Sequence, residues 1–187
     1  GFNRLAILDV SPNGNQPMQS PSKRYSIVFN GEIYNFKALT EEYKLTELHS
    51  TSDTEVIVHL LDKIGIQQTI KVLNGMFAIA IVDTNLNELY LTRDFAGIKP
   101  LFYGASNQGI VCASQFNQVF KHAFFKNELQ LRKEILKEYF GLGYMQAPNT
   151  IYQNIFQVKP GELIKISSDG IIVKENFCHF SAIIGNE

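Results

Sequence analysis

Apolar and polar positions alternate over Arg4 to Val10 (RLAILDV) and again over Arg24 to Phe29 (RYSIVF), the period-two pattern of half-buried strands. Between them SPNGNQPMQSPS has the Pro, Asn, Gly and Ser content of a loop. After Phe29 the period lengthens. Phe36, Leu39 and Tyr43 fall on one side of a helix over NFKALTEEYK. A second helix starts at STSDTEV, where Ser52 and Glu55 have the spacing of a capping box. Val56, Ile57, Leu60, Leu61 and Ile64 form its apolar face, and Gly65 suits the position just past its end. MFAIAIVD is almost wholly apolar, which predicts a strand covered on both faces, by helices on one side and a second sheet on the other. DTNLN reads as a turn and NELYLTRD as the next strand. KPLFYGA and GIVCAS, joined through Ser106 to Gly109, continue an antiparallel meander. RKEILKEYFGLG predicts a helix with a glycine end. GELIKIS and IIVKENF predict a hairpin turning at Ser168-Asp169-Gly170. The expected architecture is one α+β domain over residues 1–187, with two sheets and peripheral helices.

Composition narrows the function classes. The chain has 187 residues, 45% of them hydrophobic and 19% charged, in the range of a globular domain. A formal net charge of −1 offers no electrostatic footprint for nucleic acid. No apolar run reaches the ~18 residues of a membrane span, and GFNRLAILDV lacks the layout of a signal peptide. Its charges, Arg4 and Asp9, fall inside a strand-like alternation, so the expectation is a chain cut from a longer one. Two cysteines, Cys112 and Cys178, are too few for a disulfide framework, which favours a reducing cytoplasm. The four histidines make no HxxxH or HExxH pair, and no metal site is expected. No GxxxxGK[ST] phosphate loop occurs either.

Four stretches could carry chemistry. In FNGEIYN, Asn30-Gly31 is the preferred pair for a type I′ hairpin turn. Yet the residues that follow run toward a helix and not into a partner strand. The alternative is that the Asn30 amide and the Gly31 backbone N–H aim at one oxygen, the form of an oxyanion hole. In TSDTEV, Asp53 suits the first turn of a helix, and a carboxylate held there can still accept from an ammonium. Arg4 has the planar fork that binds a carboxylate bidentately, although strand arginines are usually solvated or ion-paired. RDFAGIKPLFYG reads as turn chemistry around Gly97 and Pro100. Cys112, among apolar neighbours, reads as an inert core thiol. A thiol hydrolase would need it exposed beside a base such as His122.

In order along the chain, RLAILDVSPNGNQPM, FNGEIYNF, SDTEV, NGMFAIAIVD, RDFAGIKPLFY and APNTIYQNIFQVKPGE resemble the N-terminal glutaminase domain of glutamine-hydrolysing asparagine synthetases, of the class II glutamine amidotransferase type. The resemblance covers about Arg4 to Phe177. It implies the four-layer αββα sandwich of N-terminal nucleophile hydrolases, built on two antiparallel sheets. It implies hydrolysis of L-glutamine to glutamate and ammonia, the ammonia serving ATP-dependent amidation of a carboxylate such as aspartate. In that family a cysteine at the mature N-terminus is the nucleophile, with its own α-amino group as base.

Carried over residue by residue, the resemblance makes Asn30 and Gly31 the oxyanion donors, and Glu32 and Asp53 the holders of the glutamine α-ammonium. Arg4 would clamp the α-carboxylate, with Ile7 lining the same pocket. No cofactor is implied here, since ATP and magnesium belong to a C-terminal synthetase domain, the implied partner besides L-glutamine. A homodimer stays open. The nucleophilic cysteine and the His-Arg-Gly-Pro-Asp segment of the family would precede Gly1, so this chain by itself is expected to be inactive. Gln115 stands where the family often has an acidic residue. The alternative reading is a non-catalytic module that binds glutamine or pairs with a synthetase.

Overall fold

Strand β2 (Tyr25–Ile33) shows what the alternating pattern does: Tyr25, Ile27, Phe29 and Ile33 are buried, while Val28 and Asn30 between them are exposed. The computed structural model describes residues 14–178, so the RLAILDV strand expected over residues 4–10 lies outside the described residues. β2 runs on through Asn30-Gly31 to Ile33, which corrects the hairpin-turn reading of that pair. Its partner β3 (Gly75–Asp83) lies antiparallel to it over all nine residues, from Tyr25 opposite Asp83 to Ile33 opposite Gly75. With β1 (Met18–Gln19), β4 (Glu88–Arg93), β8 (Glu162–Ile166) and β9 (Ile172–Asn176) they form a six-stranded sheet in the order β1-β2-β3-β4-β8-β9. A second sheet has three strands, β6 (Gly109–Ala113), β5 (Phe102–Ser106) and β7 (Ile155–Gln157), in that order. All these pairings are antiparallel.

The meander expected from NELYLTRD onward is therefore split. β5 and β6 pair as a hairpin, but in the second sheet, and residues 94–101 carry the chain across.

Three apolar clusters fill the spaces between four layers. The first joins helices α1 (Phe36–Glu42) and α2 (Asp53–Val72) to the six-stranded sheet, through Leu39, Val56, Ile57, Leu60 and Ile70 against Ile27, Phe29, Phe77, Ile79 and Ile81. The second lies between the sheets, with Ala78, Leu91, Ile164 and Ile166 facing Tyr103 and Val158. The third packs helix α3 (Phe116–Phe120) and a 3₁₀ turn at Ala123–Phe125 onto the outer face of the small sheet, through Val119, Phe125 and Ile155. This is the αββα order. β3 serves two of the spaces at once: its large odd-numbered residues meet the helices, and Ala78 and Ala80 meet the second sheet. The near-continuous apolar run of FAIAIV has that cause.

The helices depart from expectation in instructive ways. α2 does not stop at Gly65. It breaks there, at φ 75° and ψ 171°, then resumes to Val72, because Ile66 and Ile70 extend the apolar face. Only half of the capping box forms. Ser52 Oγ accepts from the Thr54 N–H at 3.2 Å. The Glu55 carboxylate instead accepts from the backbone N–H groups of His49 and Ser50, each at 2.7 Å, and from the Ser50 hydroxyl at 2.6 Å. It thereby pins the loop that leads into the helix. α4 (Ile135–Leu142) ends at Gly143, as its pattern predicts.

Candidate functional site

The end of β2 owes its free donors to strand parity. Phe77, directly opposite Gly31, turns its backbone away from β2: its N–H donates to Asp94 Oδ2 at 3.2 Å, and its carbonyl accepts from the Asp94 N–H at 2.8 Å. Gly31 then belongs to a non-hydrogen-bonded pair, and its own N–H points away from β3. The other odd-numbered residues share this direction. The N–H of Tyr25 donates to Ser20 Oγ at 3.2 Å, that of Phe29 to Gln16 Oε1 at 2.6 Å, and that of Ile33 to Asp53 Oδ2 at 2.9 Å. Among the described residues no acceptor meets the N–H of Gly31. A glycine is required there by close approach: a Cβ would lie 2.1 Å from the Met76 carbonyl oxygen.

Asn30 sits opposite Ala78 and so shares the face that looks toward the second sheet. Its Nδ2 donates to Ser114 Oγ at 3.0 Å, just past the end of β6. Asp53, in the first turn of α2, is buried at 5% exposure. Burial pushes its carboxyl above the usual aspartate range. The N–H groups of Ile33 and Thr54 pull the other way, and the charge of Glu32 pushes further up. Among the described residues no cationic side chain pairs with Glu32 or Asp53. Two neighbouring carboxylates without a counter-ion favour a ligand cation, and the adjacent donors favour a ligand oxygen. No group of three or more His, Cys, Asp or Glu side chains is arranged for a metal among the described residues.

Asn30, Gly31, Glu32 and Asp53 are thus brought to one end of the large sheet, whereas Arg4 and Ile7 lie outside the described residues. Arg93 and Asp94 are structural, as their turn-like surroundings predict. The Arg93 guanidinium donates to the carbonyls of Lys99, Val158 and Gly97. The Asp94 carboxylate accepts from the N–H groups of Ile98 and Lys99 as well as Phe77. Burial pushes the Cys112 thiol up to about 11, and His122 Nδ1 caps the 3₁₀ turn by accepting from the Phe124 N–H at 3.3 Å. A thiol that stays protonated at neutral pH is no nucleophile.

Ser114 is the site residue that sequence reasoning missed, and the one signal for it is a hydroxyl closing the apolar strand GIVCA. Gln115 beside it is exposed and makes no side-chain cap for α3. A cleft under the Gly65 break, at the far end of the fold, holds Arg24, Asp83, Gln67, Lys165 and Glu175. These groups already have partners, Arg24 with Asp83, Gln67 with Glu175, and Lys165 with Glu88 outside the cleft.

The chain is similar to known proteins in sequence and in fold. The chain is 35% identical over 179 residues to asparagine synthetase [glutamine-hydrolyzing] 1 of Bacillus subtilis, covering 95% of this chain and 28% of that protein. It is 41% identical over 112 residues to the asparagine synthetase [glutamine-hydrolyzing] of Mesocricetus auratus, covering 59% of this chain and 20% of that one. The chain thus spans under a third of the length of these relatives. Among solved structures, glutamine phosphoribosylpyrophosphate amidotransferase from B. subtilis superposes with a TM-score of 0.60 at 23% identity, over 87% of this chain and 32% of that one. That likeness shows a shared fold. A model of the glutamine amidotransferase domain matches residues 1–177, and the chain belongs to that family.

Proposed function

We propose that the end of β2 binds free L-glutamine, and that the chain is the glutaminase part of an asparagine-synthetase-like enzyme. Such an enzyme releases ammonia from glutamine for the ATP-dependent amidation of a carboxylate such as aspartate. The observation that carries this reading is the pairing of two chemistries in one place. Glu32 and Asp53 present carboxylates that no described side chain neutralises, and next to them Gly31 presents an N–H that no described group accepts. In this reading the α-ammonium of glutamine lies at the carboxylates. The side-chain amide oxygen lies at the Gly31 N–H and the Asn30 carboxamide, where negative charge grows during hydrolysis. An oxygen held by two fixed donors gains most when it becomes an oxyanion, and losing one such donor typically costs ~10²–10³ in rate. Arg4 completes the grip on the α-carboxylate.

Calorimetry on this chain tests the binding half. L-Glutamine is expected to bind, while glutaramic acid, which keeps the amide and one carboxylate but has no ammonium, binds at least tenfold more weakly, the scale of one charge-assisted hydrogen bond. Equal affinity for the two would remove Glu32 and Asp53 from the site. The Gly31 N–H and the Asn30 carboxamide can also serve an oxygen of a side-chain carboxylate, so glutamate is expected to bind as well. Heat from neither ligand would overturn the reading.

A further inference from the structure

We propose that Ser114 is a positioning residue for the Asn30 carboxamide, reaching from the small sheet to the large one to fix how that amide faces its ligand. The inference rests on the glutamine reading above and deepens it. Asn30 is on an exposed strand position, and the terminal torsion of an asparagine is broad and close to two-fold. Left alone, such an amide presents its oxygen as readily as its NH₂. An acceptor oxygen turned toward a developing oxyanion would repel it.

The contact at 3.0 Å between Asn30 Nδ2 and Ser114 Oγ is the only hydrogen bond of the Asn30 side chain among the described residues. It uses one of the two Nδ2 hydrogens and leaves the other free. The two residues are 84 positions apart in sequence, Asn30 on β2 of the large sheet and Ser114 just past the end of β6 of the small one. The amide is therefore oriented by the packing of the two sheets and not by its own strand. A hydroxyl suits the task because it is small and rotates to accept, and because Ser114, half-buried, is itself fixed between Ala113 and the start of α3.

The test uses the whole chain, labelled with ¹⁵N, and follows the side-chain NH₂ pair of Asn30 by NMR, assigned through its loss in Asn30→Asp. Ser114→Ala is expected to move that pair and to speed its exchange with water, while the backbone amide of Ile81, in the middle of β3, stays in place. It is also expected to weaken binding of L-glutamine, read from chemical-shift titration, by roughly five- to tenfold, the worth of one neutral hydrogen bond. Ser114→Thr keeps the hydroxyl and is expected to restore both. A merely structural serine would move neither the Asn30 pair nor the titration selectively, and threonine would not rescue them. An Asn30 NH₂ pair unchanged in Ser114→Ala, in a parent chain that does respond to glutamine, overturns the positioning role and leaves the glutamine reading intact. A parent chain with no response to glutamine at its β2 end overturns the glutamine reading and, with it, the ligand side of this inference.

Discussion

Asp53 is buried beside another carboxylate with no described counter-ion, and this has opposite consequences for folding and for binding. Its carboxyl is raised in the folded state, first by burial. The stability it contributes is therefore full below the unfolded aspartate value and is lost as pH rises through the raised folded value. At pH 7 the ionised form is a liability in the unliganded protein. Asp53→Asn keeps an oxygen for the Ile33 N–H and removes the charge, so urea unfolding at pH 7 should find the variant no less stable than the parent. Glutamine affinity should nevertheless fall at least tenfold. In the parent, affinity should also decline as pH is lowered through the raised Asp53 range, because the ammonium prefers the carboxylate; a flat pH profile would count against this. Gly31 yields a second test at the same scale. Gly31→Ala would place a methyl against the Met76 carbonyl, on backbone that cannot swing aside, and should cost at least ~3 kcal/mol, the upper end for overpacking. Asn30 and Asp53 stood out as candidates in the sequence because their side chains carry chemistry, whereas Glu32 came only with the family resemblance. The sequence left the Gly31 N–H between two readings, turn or donor, since its direction is set by the register against Phe77 and Asn-Gly taken alone favours a turn.

Helix α2 delivers Asp53, and two devices hold its start in place. Ser52 caps the first turn, and Glu55 gathers three donors from His49 and Ser50. Its other half is set apart by Gly65, whose φ of 75° and ψ of 171° belong to a region populated almost only by glycine. A Cβ there meets nothing within 4 Å, so any penalty from Gly65→Ala comes from the backbone and not from a clash. The variant should lose about 1–3 kcal/mol in thermal or urea unfolding. Glutamine affinity should be unchanged, because the break is some three turns from Asp53. A variant as stable as the parent would mean that the chain straightens there at no cost. Sequence pattern revealed β2 to β6, β8, β9, α1, α2 and α4, whose alternation or apolar face can be read locally. It did not reveal β7, with three residues, or α3, with five. They exist because neighbours cover them, Ile155 and Val119 sharing one apolar cluster with Phe125.

At the scale of the molecule, the two sheets are tied by the segment that crosses between them, and two adjacent residues at the end of β4 govern it. The arrangement of these sheets was only partly legible: a strand apolar on both faces announces two covering layers, but nothing local says that β5 leaves the meander for a second sheet. The crossing needs a partner for the carbonyls it strips from β-pairing, and Arg93 is that partner. Its fork reaches Lys99 at 2.6 Å and Gly97 within the crossing, and Val158 at 3.1 Å on the approach to β8. Asp94 faces the other way, answering the N–H groups of Ile98 and Lys99 and fixing Phe77, the residue that turns Gly31 outward. Arg93 is 8% exposed and forms no salt bridge among the described residues, so its guanidinium is met by three carbonyl dipoles. Arg93→Met fills similar space and leaves all three carbonyls unanswered, which should cost about 3–5 kcal/mol in urea unfolding. Arg93→Lys brings a charge without the planar fork. A compact ammonium cannot serve carbonyls on both sides of a guanidinium plane, so it should recover only part of the loss. Because the crossing and Phe77 share Asp94, both variants should also weaken glutamine binding although neither touches the ligand, lysine less than methionine. A methionine variant within 1 kcal/mol of the parent, or a lysine variant equal to it, would show that water serves these carbonyls well enough and that the crossing is held by the apolar contacts of Leu101 and Val158 instead.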